Sequence, residues 1–203
     1  MKYKKEEILR VTFHEFLQKG YESPIIPCLQ KKLGMSRGAL YRHYKDKNDL
    51  FRAVTDHYFF NRIKRLFGDI NPDVSTLELI NYLYRKLLLL FVLYRKEGVT
   101  QASFSKYTNL LEQAKEHYPG FSNNLKKTKN YIEHAWQKAM KNSVDRTEVI
   151  SSLNIELMSK LFADICFRDN KEYEVDAIFF HNMKNGLNQK THILRYLHKL
   201  ITP

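Results

Sequence analysis

A cluster of hydrogen-bond donors and flat rings lies near the N-terminus, directly after a predicted turn. The turn is Leu33-Gly34-Met35, in which Gly34 permits the positive backbone angle that ends a helix and Met35 can fill the corner between two helices. Ser36 has the hydroxyl that caps the next helix. A three-residue turn of this kind sets the second helix across the first. The donors and rings that follow it are Arg37, Tyr41, Arg42, His43 and Lys47.

This composition is what a short helix needs to enter the major groove of DNA. We predict that Arg37 and Gly38 approach base edges, with Ser36 beside them, while Ala39 and Leu40 face inward. The remaining candidates would bind mainly phosphates: Tyr41, Arg42, His43 and Lys47. For His43 a purely structural role is the alternative.

Residues 8–54 resemble the N-terminal domain of the TetR-type (tetracycline-repressor-like) transcriptional regulators of bacteria. The residues that carry the resemblance are Ile8, Phe16, Gly20-Tyr21, Leu33-Gly34, Ser36, Gly38, Leu40-Tyr41, His43-Tyr44, Lys47 and Leu50. The resemblance implies a helix-turn-helix domain followed by an all-helical domain for effector binding and dimerisation. It does not specify the effector.

Two departures from the family pattern concern the helix before the turn. Pro24, Ile25 and Ile26 stand where the family has Thr or Ser, and Gln30 stands where it has Ala. The first departure removes a hydroxyl that could cap the helix or touch a phosphate. Pro27 partly compensates, because proline is tolerated in the first turn of a helix.

The charge distribution supports a polyanionic partner. Residues 1–65 contain 15 Lys and Arg against 7 Asp and Glu, whereas residues 66–203 contain 19 against 15. A basic excess attracts a polyanion and releases its counterions on binding. Charge alone would equally describe a protein that is merely basic, and it becomes informative because it coincides with the helix-turn-helix.

Scarce glycine and proline, together with capping signatures, divide the chain into about nine helices and predict no sheet. The capping signatures are Asp46 with Asp49, Ser75-Thr76-Leu77-Glu78 and Asp145-Arg146-Thr147-Glu148, each expected to open a helix. The helix from Asp46 is expected to continue to about Gly68, with Leu50, Val54 and Tyr58 on its inner face. It would leave the DNA-binding domain and transmit effector binding.

We therefore predict an all-α protein with two domains, a three-helix DNA-binding domain over residues 1–48 and an effector-binding and dimerisation domain over residues 49–203. No signal peptide or membrane-spanning run is found, so a cytoplasmic protein with no membrane partner is expected. Cys28 and Cys166 predict small packing residues rather than a disulfide, with a redox-sensing thiol as the minor alternative.

The sequence contains none of the glycine-rich, histidine-based or nucleophile motifs of common enzymes, and its histidines are scattered singly. We therefore expect no catalytic reaction, cofactor or metal. Aromatic residues are abundant, and each taken alone is explained by core packing. Together, rings and methionines between helices can line a ligand pocket. The candidates for its wall are Phe104, Tyr107, Trp136, Met158 and Cys166.

Two C-terminal segments, about residues 146–168 and 175–201, carry the apolar patterns of a dimer interface. The interface candidates are Leu157, Leu161, Phe179, Gly186 and Ile193. A homodimer is expected because one short helix touches few base edges, so useful affinity needs two half-sites.

The predicted function is a dimeric regulator of transcription that binds double-stranded DNA at a palindromic operator. A small-molecule effector would release it, which makes it a repressor. Two alternatives remain open: a transcriptional activator, and a helical small-molecule carrier or enzyme with a vestigial helix-turn-helix.

Overall fold

A computed structural model of the protein describes residues 5–96, 104–167 and 179–203. These residues form an all-α structure and contain no strand, which confirms the predicted fold class. The helices in chain order are α1 (Lys5–Lys19), α2 (Ile25–Leu33), α3 (Arg37–Tyr41), α4 (Lys47–Thr55), a π-helical segment (Asp56–Phe60), α5 (Asn61–Phe67), α6 (Thr76–Lys96), α7 (Phe104–His117), α8 (Phe121–Asp145), α9 (Ile155–Phe167) and α10 (Phe179–Leu200).

Helix α4, the π-helical segment and α5 follow one another without a break, as expected for a single helix from Asp46 to about Gly68. The π-helical segment within it was not predicted. Its first residue, Asp56, accepts a hydrogen bond from the Tyr118 hydroxyl over 2.7 Å. Tyr58, on the same segment, stacks on Phe13 with ring centroids 3.8 Å apart.

The described residues pack as two compact units. The first comprises residues up to 62 together with 99–125, and the second comprises residues 63–98 and 126–203. These packing units differ in their bounds from the predicted domains, whose boundary between residues 48 and 49 stays a prediction.

In the first unit, α1 packs against α2, α4 and α7. The apolar residues of these helices form a core that combines aliphatic side chains with aromatic rings. Phe16 and Phe51 meet edge to face with centroids 5.1 Å apart. The largest fully buried side chains of this core are Ile8, Phe13, Phe16, Ile25, Leu29, Leu40, Leu50 and Phe51. Residues of both helices of the helix-turn-helix, Leu29 and Leu40, are part of this core.

The core of the second unit is built around Trp136 and Phe162, whose rings meet edge to face at 5.0 Å. Helix α10 packs against α6 and α9. The other buried residues of this core are Phe67, Leu79, Ile80, Leu83, Ile132, Ala139, Met140, Ala163, Ile165 and Leu194.

The capping signature at Ser75 is confirmed as the start of α6. The Ser75 hydroxyl accepts from the Glu78 backbone N–H over 3.3 Å, and the Glu78 carboxylate accepts from the Ser75 N–H over 2.7 Å. Both partners thus satisfy donors that the helix leaves unpaired.

The capping signature at Asp145-Arg146-Thr147-Glu148 was wrong, because α8 ends at Asp145 and α9 begins only at Ile155. Thr147 has φ +58°, which ends a helix rather than opening one. The Glu148 carboxylate accepts from the Ser143 hydroxyl over 3.1 Å, at the end of α8. Asn154 caps α9 instead, accepting from the Leu157 N–H over 3.0 Å.

Among the described residues, the helices are too short or too polar for any of them to cross a membrane.

Candidate nucleic-acid interface

Local backbone geometry sets the direction of α3. Gly34 has φ +62°, in the left-handed region that ends α2 without steric cost. Met35 is buried in the corner that follows. The Ser36 hydroxyl then accepts from the Ala39 N–H over 3.2 Å and caps α3. All three local roles are those predicted from the sequence.

Helix α2 begins at Ile25 with Pro24 in the capping position, and no side chain caps it. This agrees with the loss of hydroxyl residues noted at these positions. The first turn of α2 is anchored by burial of Ile25 instead.

Helix α3 presents one apolar and one polar side. Leu40 is buried in the core and Ala39 is partly buried. The predicted DNA-contacting residues of α3 and its flanks lie on the exposed side: Ser36, Arg37, Gly38, Tyr41 and Arg42. The Arg37 guanidinium lies 5.5 Å from the centre of the Tyr41 ring, a cation–π contact that orients its donors. His43 and Lys47 are partly buried.

Gly38 has no role that the protein's own packing explains. It does not have a positive φ, and a Cβ added there would meet no atom within 4 Å. Glycine in a helix costs about 1 kcal/mol relative to alanine. A bare backbone on the exposed side of α3 is what a close approach by a base edge requires.

The start of α4 lies next to this surface. Asp46 caps the helix by accepting from the Asp49 N–H over 2.7 Å, and Asp49 accepts from the Lys45 N–H over 3.1 Å. The hydrogen bond from Lys45 lowers the pKa of the Asp49 carboxyl, and Arg52 lowers it further. These carboxylates occupy the N–H groups of Lys45 and Asp49, and the phosphate contact predicted for Lys47 stays a prediction.

A buried carboxylate ties α1 to α2 beneath the interface. Glu15 is only 1% exposed, and it pairs with Lys19 at 3.0 Å and also with Lys32. Burial raises its pKa, but hydrogen bonds from Cys28, Lys32 and Lys19 outweigh burial and lower the pKa to about 2. The pair with Lys32 joins α1 to α2, the helix that precedes the turn into α3.

Three of the predicted pocket residues come together in the second unit. Trp136 is fully buried, and Met158 and Cys166 pack against the same core. Burial raises the pKa of the Cys166 thiol to about 11, although a hydrogen bond with Trp136 opposes it. The side chains of Phe104 and Tyr107 lie outside the described residues. An effector pocket here therefore stays a prediction.

Three of the predicted interface residues are exposed apolar side chains: Leu157 at 61%, Leu161 at 40% and Ile193 at 36%. The opposite side of α9 is buried, with Phe162 and Ile165 in the core. The surroundings of Phe179 and Gly186 lie outside what the structure describes. The dimer interface stays a prediction.

Within the described ranges, no group of three or more His, Cys, Asp or Glu residues could hold a metal ion.

Comparison with known proteins places residues 8–54 in the family described as bacterial regulatory proteins, tetR family. The HTH-type transcriptional regulator YerO of Bacillus subtilis (strain 168) is 30% identical over 73 residues, which are 34% of this chain and 25% of YerO. The HTH-type transcriptional repressor AcnR of Corynebacterium diphtheriae is 37% identical over 51 residues, which are 25% of this chain and 27% of AcnR. The chain thus spans about a quarter of the length of these curated relatives.

The likeness of fold extends further than the likeness of sequence. The crystal structure of the TetR family transcriptional regulator PfmR from Thermus thermophilus matches 96% of this chain and 96% of its own, with a TM-score of 0.54 and 14% identity. Residues 8–54 thus match the TetR family of bacterial regulatory proteins, and the fold along nearly the whole chain is similar to that of a TetR family regulator.

Proposed function

We propose that this protein is a dimeric, DNA-binding regulator of transcription that represses by occupying a palindromic operator in the cytoplasm. The observation that carries the proposal is the exposed side of α3, where Arg37, Tyr41 and Arg42 surround the open backbone of Gly38. The Arg37 guanidinium offers paired hydrogen-bond donors to base edges, and the Arg42 guanidinium offers a positive charge to phosphates.

The proposal of a dimer rests on the size of the reading helix and on α9. Helix α3 contains five residues, so one copy touches only a few base pairs. Leu157 and Leu161 expose apolar surface on α9, in a position where a second copy could cover it. Two copies related by a two-fold axis would read the two halves of a palindrome.

We further propose that a small, partly apolar effector binds in the second unit near Trp136, Met158 and Cys166. The helical run from Lys47 to Phe67 begins in the first unit and ends in the second, and it would carry the effect of binding. A coupling of about 1–3 kcal/mol would reduce DNA affinity about 5- to 150-fold.

The name of one relative, the repressor AcnR, favours repression over activation. The alternative of a carrier or enzyme with a vestigial helix-turn-helix predicts ligand binding or turnover without sequence-dependent DNA binding. Bound duplexes selected from a random library would therefore separate the two classes: a regulator enriches a palindromic sequence, and a carrier enriches none.

Gly34 and Gly38 provide a matched test of whether the backbone of α3 approaches base edges. A Cβ would meet no atom within 4 Å at either Gly34 or Gly38, but only Gly34 has a positive φ. We expect Gly38→Ala to keep or raise the melting temperature and to weaken binding to the selected duplex. Gly34→Ala should lower the melting temperature, because alanine is strained by about 1–2 kcal/mol in that conformation.

DNA affinity and melting temperature are measured for both variants, because a loss of affinity without a loss of stability is expected only for Gly38→Ala. If Gly38→Ala binds the selected duplex as tightly as the unmodified protein, the backbone of α3 does not approach base edges at this position.

A further inference from the structure

The ring of Tyr21 lies between a helix of the core and the start of α4. The His117 imidazole stacks on it with ring centroids 3.7 Å apart and planes 10° from parallel. The Lys47 ammonium lies 4.3 Å from the centre of the same ring. Because the imidazole covers one face, the ammonium lies over the other. The Phe51 ring packs against the Tyr21 ring at a steep angle, with ring centroids 4.9 Å apart and planes 74° from parallel.

Hydrogen bonds fix the position of this ring. The Tyr21 hydroxyl donates to the Asn48 side-chain oxygen, next to Lys47 in the chain. The Tyr21 backbone N–H donates to the Gln113 side-chain oxygen over 3.0 Å. Gln113 and His117 lie one turn apart on α7, so the last turns of α7 hold Tyr21 through both its ring and its backbone.

The carboxylates around His117 are exposed and more distant. Its Nε2 atom lies 3.8 Å from carboxylate oxygens of both Glu22 and Glu116. Such exposed pairs contribute little, so the stack with Tyr21 is the main contact that places His117.

We infer that Tyr21, backed by His117, is a positioning residue for the phosphate contact of Lys47. This inference rests on the proposed function, in which Lys47 binds a DNA phosphate. A lysine side chain loses much rotamer freedom when it is fixed against a phosphate. Cation–π attraction to a ring that is itself held in place restricts the ammonium before DNA arrives, so less freedom is lost on binding.

The arrangement also brings α7 into DNA binding, although α7 lies at least 57 residues beyond Lys47 in the chain. Removing the imidazole would leave the ring supported on one side only. The ammonium would remain able to reach a phosphate, but from a broader set of conformations.

The test is a double-mutant cycle between His117 and Lys47, measured on the selected duplex at several salt concentrations. His117→Ala should weaken binding about 2- to 10-fold, the factor expected when one side chain must be ordered anew. His117→Phe keeps a stacked ring and should restore binding. In a Lys47→Ala background, His117→Ala should have no further effect, because the side chain that it positions is gone.

A second measurement needs no DNA. Acetylation of Lys47 by an N-hydroxysuccinimide ester, followed by mass spectrometry, should be faster in His117→Ala than in the unmodified protein and normal in His117→Phe. Melting curves of all variants must show that the fold is retained.

The outcomes separate the inference from the proposed function. Unchanged acetylation in His117→Ala, or a loss of DNA affinity that adds fully to that of Lys47→Ala, overturns the positioning role. If no variant and no unmodified protein binds DNA while acetylation changes as expected, the positioning geometry stands and the proposed function fails.

Discussion

Glu15 is a buried acidic residue that links α1 to α2, the helix that precedes the turn into α3. Its carboxylate is buried and pairs with Lys19 and Lys32, while the Cys28 thiol donates to it. Burial and this hydrogen bond raise the pKa of Cys28, so the thiol stays protonated near neutral pH. A protonated thiol is a poor nucleophile, which disfavours the redox-sensing alternative.

The lowered pKa of Glu15 predicts a dependence of stability on pH. Its pKa is about 2 in the folded protein against an ordinary value of 4.5, so the folded state binds this proton less tightly than the unfolded state. The stabilisation is complete above about pH 4.5 and is lost as the pH falls toward about 2. Glu15→Gln should lower stability at neutral pH by about 1–3 kcal/mol and flatten this part of the acid-unfolding profile.

The control is Glu156→Gln. Glu156 also pairs with a lysine four residues away, Lys160 at 2.7 Å, but both side chains are exposed. Its removal should leave the unfolding profile unchanged in urea titrations. Equal effects of the two substitutions would show that burial of Glu15 has no energetic importance.

Arg37 and Lys47 are expected to contribute to DNA binding in different ways. Arg37→Ala should relax sequence preference, because a bidentate contact to guanine discriminates by about 1–3 kcal/mol. Lys47→Ala should weaken binding to all duplexes and reduce the salt slope by about one unit. Fluorescence anisotropy on selected and scrambled duplexes measures both. The assignment fails if Arg37→Ala loses affinity equally on the two duplexes and Lys47→Ala keeps the full slope.

At the scale of elements, the π-helical segment Asp56–Phe60 is the feature that departs most from a regular helix. Asp56 accepts from the Tyr118 hydroxyl, which in turn accepts from the Asn124 amide over 2.8 Å. Burial and the hydrogen bond to Asp56 raise the pKa of Tyr118 to about 12. The rings of Phe60 and Phe121 pack beside these groups with centroids 5.3 Å apart. π-Helical turns often mark functional positions in helices.

Removing the hydroxyl of Tyr118 should test what holds this segment. Tyr118→Phe should reduce stability by about 0.5–1.5 kcal/mol, the usual contribution of one hydrogen bond. In an Asp56→Asn background the effect should be smaller, because the charged acceptor is absent. Chemical unfolding of the four proteins in this cycle measures the coupling, and strictly additive losses would show that the two groups act independently.

The elements that the sequence predicted well are those fixed by local chemistry. The turn at Gly34, the caps at Ser36 and Asp46 and the start of α6 each depend on residues within four positions of one another. The signature at Asp145 failed because the Glu148 carboxylate accepts from Ser143 at the end of α8 and does not cap a new helix. The local sequence pattern alone does not reveal this contact.

Other features depend on contacts between distant residues. The π-helical segment is hydrogen-bonded to Tyr118, 62 residues away from Asp56. The stack of His117 on Tyr21 joins α7 to the Gly20-Tyr21 turn, and no spacing in the sequence signals it. From the sequence, His117 has no role beyond that of a singly scattered histidine. These contacts could not be predicted without the fold.

At the scale of the whole molecule, the proposed dimer predicts which surface charges are tolerated. Leu157→Asp would place a charge on apolar surface that we propose a second copy covers, and an unpaired charge there would be desolvated. We expect monomers in sedimentation equilibrium and weaker binding to the palindromic duplex. The control, Leu77→Asp, changes another exposed leucine in the first turn of α6, where an acidic residue is favourable.

Leu157→Asp and its control Leu77→Asp together test whether the exposed side of α9 forms the dimer interface. If Leu157→Asp remains dimeric, the two copies meet elsewhere. If both variants become monomers, loss of fold rather than loss of the interface must be tested by their melting curves.

The central claim is that α3 of each of two subunits reads one half of a DNA site. A hydroxyl-radical footprint on the selected duplex tests it most directly. We predict two protected segments of equal strength, with centres about 10 base pairs apart or a multiple of that distance, on the same face of the duplex. Gly38→Ala should weaken protection in both segments together. A single protected segment, or two segments that Gly38→Ala leaves unchanged, would contradict the account.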